Sequence, residues 1–200
     1  NYPAGEFAAV LWSLSGLDLV RKAGVMVKHG YAVPEIIDAL EHRVDAITPA
    51  GVIETLRLSG GGLQRAAQAV RHYGFAPSDA YAALLGAKYT AHEALTILGA
   101  ATNSYEAALV ARAKDVDASL LGAVMRQSFG ETVDTAVLLL RNAGYPILDV
   151  RQVLLEHYGL SDEEASVKLD KYFTADQMAG LMRLAGKDSG EALAYVLTEP

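Results

Sequence analysis

The stretch from Gly130 to Leu160, GETVDTAVLLLRNAGYPILDVRQVLLEHYGL, narrows the possible folds of this chain more than any other feature, because looser copies of it recur along the sequence. It predicts two short helices joined by a turn. Val133, Val137 and Leu140 lie at helical spacing, and the run closes at Asn142-Ala143-Gly144, where glycine suits the left-handed position after a helix end. Tyr145-Pro146 opens the second helix. Proline in a first helical turn forfeits no intrahelical bond, and Ile147, Val150, Val153 and Leu154 then form an apolar stripe that ends at His157-Tyr158-Gly159.

The earlier stretch GYAVPEIIDALEHRVD repeats the glycine-tyrosine lead, the early proline, the central aliphatics and the Glu-His end, which makes Gly30 and Gly144 equivalent. The interval between them divides into four periods of about 28.5 residues, inside the range of helical repeat proteins. Aligning the turn into each second helix gives Tyr31, Gly62, Tyr89, Val116, Tyr145 and Phe173, with first helices expected to start at Thr48, Pro77, Asn103, Glu131, Ser161 and Asp188. Capping pairs support these starts. Thr90 with Glu93, Asn103 with Glu106, Ser161 with Glu164, Thr174 with Gln177 and Asp188 with Glu191 each place an acceptor three residues before a Glu or Gln. Ser15 with Asp18 reads as another such start, and Glu6 to Leu14, with Phe7, Val10, Leu11 and Trp12, as an N-terminal helix packed on the first repeat. Helices of about ten residues do not persist alone in water, so stacking on neighbours must hold them. The expected fold is all-α: an α-solenoid of short helix pairs with a period of about 28 residues. It forms one domain over 1–200, with an N-terminal helix at 1–14 and about six pairs over 15–200. Because the first residue is Asn1 rather than methionine, the reading is of a processed protein or, in preference, a piece of a longer one.

Composition excludes several alternatives. A hydrophobic fraction of 52% and a mean hydropathy of +0.18 could suggest a membrane, but the longest uncharged run is Ala94 to Tyr105. A spanning helix needs about 20 apolar residues, so no membrane span is expected. Seventeen Lys plus Arg against 24 Asp plus Glu give a net charge of −7, which argues against a phosphate backbone as partner. Arg65, Arg71, Arg126 and Arg151 keep modular nucleic-acid reading as an alternative only. The absence of cysteine removes disulfides, thiolate metal sites and a cysteine nucleophile.

The residues that invite a chemical reading each have a structural one. His42, His72 and His157 fall at the ends of second helices, where a histidine meets the negative end of the helix dipole. His92-Glu93 begins a zinc-protease motif, but Thr96 stands where its second histidine is needed. Ser59-Gly60-Gly61-Gly62 lacks the preceding strand and following lysine of a phosphate loop, and reads as an enlarged inter-helix turn; Gly186-Lys187-Asp188 puts aspartate in place of the metal-binding hydroxyl. No Gly-x-Ser-x-Gly elbow is present. Asp162, Glu163, Glu164 and Asp170 make an acidic helix start, with Glu164 and Lys168 at the spacing of a surface pair. Tyr31, Tyr89 and Tyr145 recur at one turn and read as plugs between adjacent repeats, the alternative being an exposed ridge. No catalytic, cofactor-binding or metal-binding residue is nominated, and no cofactor is expected.

Ala143-Gly144-Tyr145 with Val150, Val153 and Leu154, and Gly30-Tyr31 with Ile37 and Leu40, resemble the tandem helical repeats of long, cysteine-poor bacterial secreted and surface-associated proteins. That resemblance implies a spacer or binding module at the cell surface or outside it, not a catalyst. Its partners would be a protein, a peptide, a glycan or neighbouring repeats. The outward positions Glu35, Asp38, Gln64, Gln68, Asp149 and Gln152 decide between the two roles, since a groove formed with aromatics favours binding and a uniformly polar surface favours a spacer. Asp188 to Thr198 reads as a first helix without its second, from which weak end-to-end self-association is expected.

Overall fold

In the computed structural model, which describes residues 2–44 and 47–184, the caps expected from the sequence start the helices. The hydroxyls of Thr48, Thr90, Thr132 and Ser161 accept the amides of Gly51, Glu93, Thr135 and Glu164, and Glu93 and Glu164 return bonds to the amides of Thr90 and Ser161. Asn103 likewise accepts from Glu106, and Thr174 accepts from Gln177. Two starts shift. The cap expected at Glu131 is Thr132, whose side chain can reach its own third residue, and Asp18, not Ser15, caps its helix by accepting from the Arg21 amide. Pro146 sits one residue outside its helix rather than in the first turn.

The described residues form thirteen α-helices and one π-helical turn. The first helices are α2 (Leu19–Lys28), α4 (Pro49–Leu58), α6 (Pro77–Gly86), α8 (Ser104–Ala113), α10 (Val133–Ala143) and α12 (Asp162–Asp170). The second helices are α3 (Val33–Glu41), α5 (Gly62–Tyr73), α7 (Ala91–Ala101), α9 (Ala118–Val124), α11 (Ile147–Tyr158) and α13 (Ala175–Leu184), preceded by α1 (Ala4–Ser13). A π-helical turn, Met125–Phe129, extends α9 to the length of α5 and α11 and closes on Gly130 at φ +68°. Asp188 to Thr198, including the expected start at Asp188 and its pair with Glu191, lies outside the described residues.

The chain divides into two compact units, Asn1–Val110 and Ala111–Pro200. In the first, α2, α4 and α6 stack in sequence, and so do α1, α3, α5 and α7, with α4 on α5 and α6 on α7 as pairs. In the second, α9, α11 and α13 stack, with α10 and α12 each packed on α11. Each unit therefore has the alternate-helix stacking of a repeat array, and burial follows one register. Ile36, Ile37, Ala39 and Leu40 of α3 are buried, as are Ala66, Ala67, Ala69 and Val70, then Ala94, Leu95, Ile97 and Leu98, then Leu121, Gly122, Val124 and Met125. Two adjacent stripes per helix, each at i and i+3, bury two faces, as an element with a neighbour on each side requires.

The turn from first to second helix recurs as a Schellman motif. The amides of Tyr31, Gly61, Tyr89, Val116 and Tyr145 donate to the carbonyls of Met26, Leu56, Leu84, Ala111 and Leu140, and the residue before each donor is left-handed. Gly61 thus takes the position expected of Gly62, which brings the spacings on either side of that turn closer to each other. Gly30, Gly60 and Gly144 fill the left-handed position as glycine permits, Gly144 at φ +87°, but Lys88 and Asp115 hold it at φ 65° and 52°. The sixth turn differs, with Phe173 donating to Leu169 in an ordinary helical bond.

Candidate functional site

The side chains with the most chemistry converge on the seams between successive pairs. Tyr31 is only half-buried, whereas Tyr89 and Tyr145 are buried at 5% exposure and plug gaps between repeats. The previous first helix supplies the lid for each. Arg57 lies over the Tyr89 ring at 5.8 Å and donates from Nε to the Ala87 carbonyl at 2.9 Å, while Arg112 lies over Tyr145 at 5.5 Å and donates to the Gly144 carbonyl at 3.2 Å. Both arginines stand three residues before a left-handed turn and reach the equivalent turn one repeat later, satisfying a helix-end carbonyl and a ring face together. The Tyr145 hydroxyl donates to the Val116 carbonyl at 2.9 Å, and burial pushes its phenol up to about 12. The Tyr89 hydroxyl is buried without a partner, and burial raises it too.

A second group occupies the α9–α11 seam. Ser119 Oγ lies 2.8 Å from His157 Nε2 and 2.8 Å from Glu156 Oε2, a serine, histidine and acid that no sequence motif signalled. The contact depends on Gly122: a β-carbon there would lie 2.5 Å from Val153 Cγ1 and 3.0 Å from His157 Cδ2. Hydrogen bonds from Gln152 and Ser119 hold the Glu156 carboxyl below its usual range. An ionised carboxylate only accepts, so the single serine proton goes to Glu156, and His157 Nε2 must then donate to Oγ. A ring nitrogen that donates to serine cannot take its proton, so His157 is not placed as the base of a serine nucleophile. The group is a polar clamp across a seam.

Other predicted residues are dispersed. His42 is the C-cap of α3, with Nδ1 2.9 Å from the Asp38 carbonyl and 3.1 Å from its carboxylate, the local role expected at a helix end. His72 meets Tyr73 edge-on at 5.6 Å, and the Tyr73 hydroxyl donates to Glu41 across the α3–α5 seam. Among the described residues, no three His, Cys, Asp or Glu side chains come together to hold a metal ion. The arginines singled out as candidate nucleic-acid contacts are engaged with protein groups. Arg65 donates to the Val27 carbonyl, Arg71 to that of Ala100, Arg126 lies over Tyr158 at 5.4 Å, and Arg151 pairs with Asp162. Asp134, on α10, takes Lys168 at 3.1 Å and the Tyr172 hydroxyl at 2.9 Å, bonds that keep its carboxyl below the usual range. Lys168 thus pairs with the neighbouring first helix and not with Glu164, which is turned back to cap α12.

The outward positions Glu35, Asp38, Gln64, Gln68, Asp149 and Gln152 are all exposed, with Tyr145 buried and Tyr31, Tyr73 and Tyr158 half-buried. One cleft of about 520 Å³ lies among α11, α12 and α13, lined by Arg151, Asp162, Ser166, Met178 and Met182. No helix among the described residues is long and apolar enough to cross a membrane. No protein-family model, no curated protein and no solved structure matches the chain.

Proposed function

We propose that this chain is a non-enzymatic structural segment, a spacer of stacked helix pairs belonging to a larger protein. The observation that carries the reading is the use made of its chemistry-bearing residues. Tyr145, Arg57, Arg112, Ser119, His157 and Asp134 bond or stack across seams, and the outward positions of the second helices are polar and exposed. The resemblance to tandem repeats of bacterial secreted and surface-associated proteins supports the same role and an extracytoplasmic setting. A recognition module for a protein, peptide or glycan is the second reading. The cleft among α11, α12 and α13 favours it, because the Arg151–Asp162 pair and Glu163 give it a polar wall beside the Met178 and Met182 side chains.

Peptide and glycan arrays at about 0.15 M salt test the choice, paired with a panel of activated esters. The spacer reading expects no saturable binding and ester hydrolysis equal to that of Ser119→Ala. Saturable binding abolished by Ser166→Arg in the cleft would replace it with the recognition reading, and hydrolysis lost in Ser119→Ala would make the seam an active site.

A further inference from the structure

One row of positions on the second helices reaches back to the preceding pair. Counted from the turn residues Tyr31, Gly61, Tyr89 and Tyr145, the row falls at the turn and four, eight and twelve residues beyond it. At the turn, the Tyr145 hydroxyl donates to the Val116 carbonyl, and Arg112 of α8 lies over the ring. Four residues on, Arg65 donates to the Val27 carbonyl of α2, and the Glu93 carboxyl is held low by its Thr90 bonds and by the charge of Arg57 on α4. Eight residues on, Val153 stands so close to α9 that only the glycine at 122 makes room for it. Twelve residues on, the Tyr73 hydroxyl donates to Glu41 of α3 at 2.8 Å, and His157 bonds Ser119 of α9. Each of these contacts runs backward along the stack.

By register α1 is a second helix, since it starts about one period before α3 and Tyr2-Pro3 repeats Tyr145-Pro146. Its forward side is engaged. The Tyr2 carbonyl accepts the Tyr31 hydroxyl at 3.0 Å, as Val116 accepts from Tyr145, and Ala8, in the place of Gly122, is buried against the α3 side. Its backward row is Tyr2, Glu6 and Val10, with Leu14 just past the helix end, and all four are exposed, Tyr2 by 75% and Val10 by 66%. The position of Val10 is Ala39, Ala69, Ile97, Val124, Val153 and Leu181 in the other second helices, all buried. Tyr2, Glu6, Phe7 and Val10 line an open groove of about 430 Å³.

We propose that the backward face of α1 docks a complete preceding helix pair of the same repeat type, whose second helix sets glycine or alanine against Val10 and whose first helix carries an arginine over Tyr2. A lone first helix does not fill this face, because the Val10 position meets the preceding second helix, as Val153 meets α9. The arginine follows from the two seams in which Arg57 and Arg112 cover the tyrosine of the next pair. Charge agrees with it: Glu6 is to Tyr2 as Glu93 is to Tyr89, which places a carboxylate where the guanidinium arrives. The docked pair continues the stack that α1 already forms with α3. This extends the spacer reading, and the two fail separately, since ligand binding in the cleft among α11, α12 and α13 would replace the spacer role and leave this face as described.

The test joins a second copy of residues 103–144, which carries α8, α9 and α10, directly to Tyr2, so that Gly144 meets Tyr2-Pro3 as it meets Tyr145-Pro146. Amide hydrogen exchange is expected to show α1 protected on the order of tenfold or more beyond the parent. Val10→Ala, which installs the residue found at positions 39 and 69, should keep that gain. Val10→Glu should be silent in the parent and cancel the gain in the fusion, with α5 protection unchanged, and Gly122→Leu made only in the added copy should cancel it as well. Unchanged α1 protection in the fusion, an equal gain from residues 131–144 alone, or a gain that survives Val10→Glu overturns the proposal. Sedimentation velocity on the parent separates the other occupant: a self-associated parent made monomeric by Val10→Glu would assign the face to a second copy and refute the preceding pair.

Discussion

Gly122→Ala probes a close seam and tests whether stacking, rather than local helix propensity, dominates stability. In an exposed helix interior this change gains roughly 1 kcal/mol, because alanine is the better helix former. At Gly122 the new methyl would stand 2.5 Å and 3.1 Å from the two γ-carbons of Val153 and 3.0 Å from the His157 ring. Val153 cannot yield cheaply, since a β-branched side chain in a helix has one strongly preferred rotamer. Forcing a methyl into packed surroundings costs about 1–3 kcal/mol, and displacing His157 from Ser119 adds about 1 kcal/mol. The net expectation is a loss of about 1–3 kcal/mol despite the propensity gain. Val153→Ala alone should cost roughly 2 kcal/mol for two buried carbons and the space they leave. In the double variant the methyl at 122 fills that space, so its cost should fall at least about 1 kcal/mol short of the sum. Urea titrations followed by circular dichroism on the four proteins measure this cycle. Additivity within about 0.5 kcal/mol, or a stabilising Gly122→Ala, would refute the seam argument.

Three further outcomes follow from the turns and tyrosines. Tyr145→Phe should cost about 1 kcal/mol by removing the bond to Val116, whereas Tyr89→Phe should be neutral or stabilising because its hydroxyl is buried without a partner; equal losses in urea would contradict the contrast. Gly144→Ala should destabilise by about 1 kcal/mol, while Lys88→Gly, at the equivalent left-handed position, should stabilise by roughly 0.5 kcal/mol, and thermal melts with like-signed shifts would deny the equivalence. Stability should also decline between about pH 10 and about pH 12. Burial raises Tyr145 and Tyr158 to about 12, so the unfolded chain loses these protons first; the contribution is complete below about pH 10 and is gone once pH passes the folded value. For Tyr145 this is on the order of 2–3 kcal/mol, and a flat urea midpoint across that window would oppose it.

The parts of the fold legible in the sequence are those set by bonds within one turn of helix. Thr90 with Glu93 and Ser161 with Glu164 cap as their spacing implies, because both partners lie on the same first turn. Gly144 and Gly30 are left-handed for the equally local reason that glycine alone has no side chain to strain there. Lys88 and Asp115 gave no such signal. Their conformation is held by the Schellman bonds of Tyr89 and Val116 and by packing, against a local preference worth about 1 kcal/mol. The threefold glycine run placed the repeat register at that turn one residue late, at Gly62, and the Gly61 bond to Leu56 corrects it. The kinship of α1 with the second helices was readable in Tyr2-Pro3 but obscured by Phe7 and Trp12, which read as a separate apolar helix. The clamp of Ser119, Glu156 and His157 joins residues 37 and 38 apart and depends on how α9 crosses α11 at Gly122, a geometry that no spacing encodes.

Excision of one whole period tests the central claim, that each pair is an interchangeable unit held by its neighbours. Removing Thr132–Leu160, a first helix with its second, brings Ser161 to the place of Thr132, so that one capped first helix substitutes for another. The comparison is removal of Thr132–Pro146, half a period, which puts a second helix where a first helix belongs. Circular dichroism with urea titration should show unchanged helicity per residue and a cooperative transition for the first protein, and loss of both in the segment after Gly130 for the second. Equal collapse of the two proteins, or equal survival, would contradict the repeat account.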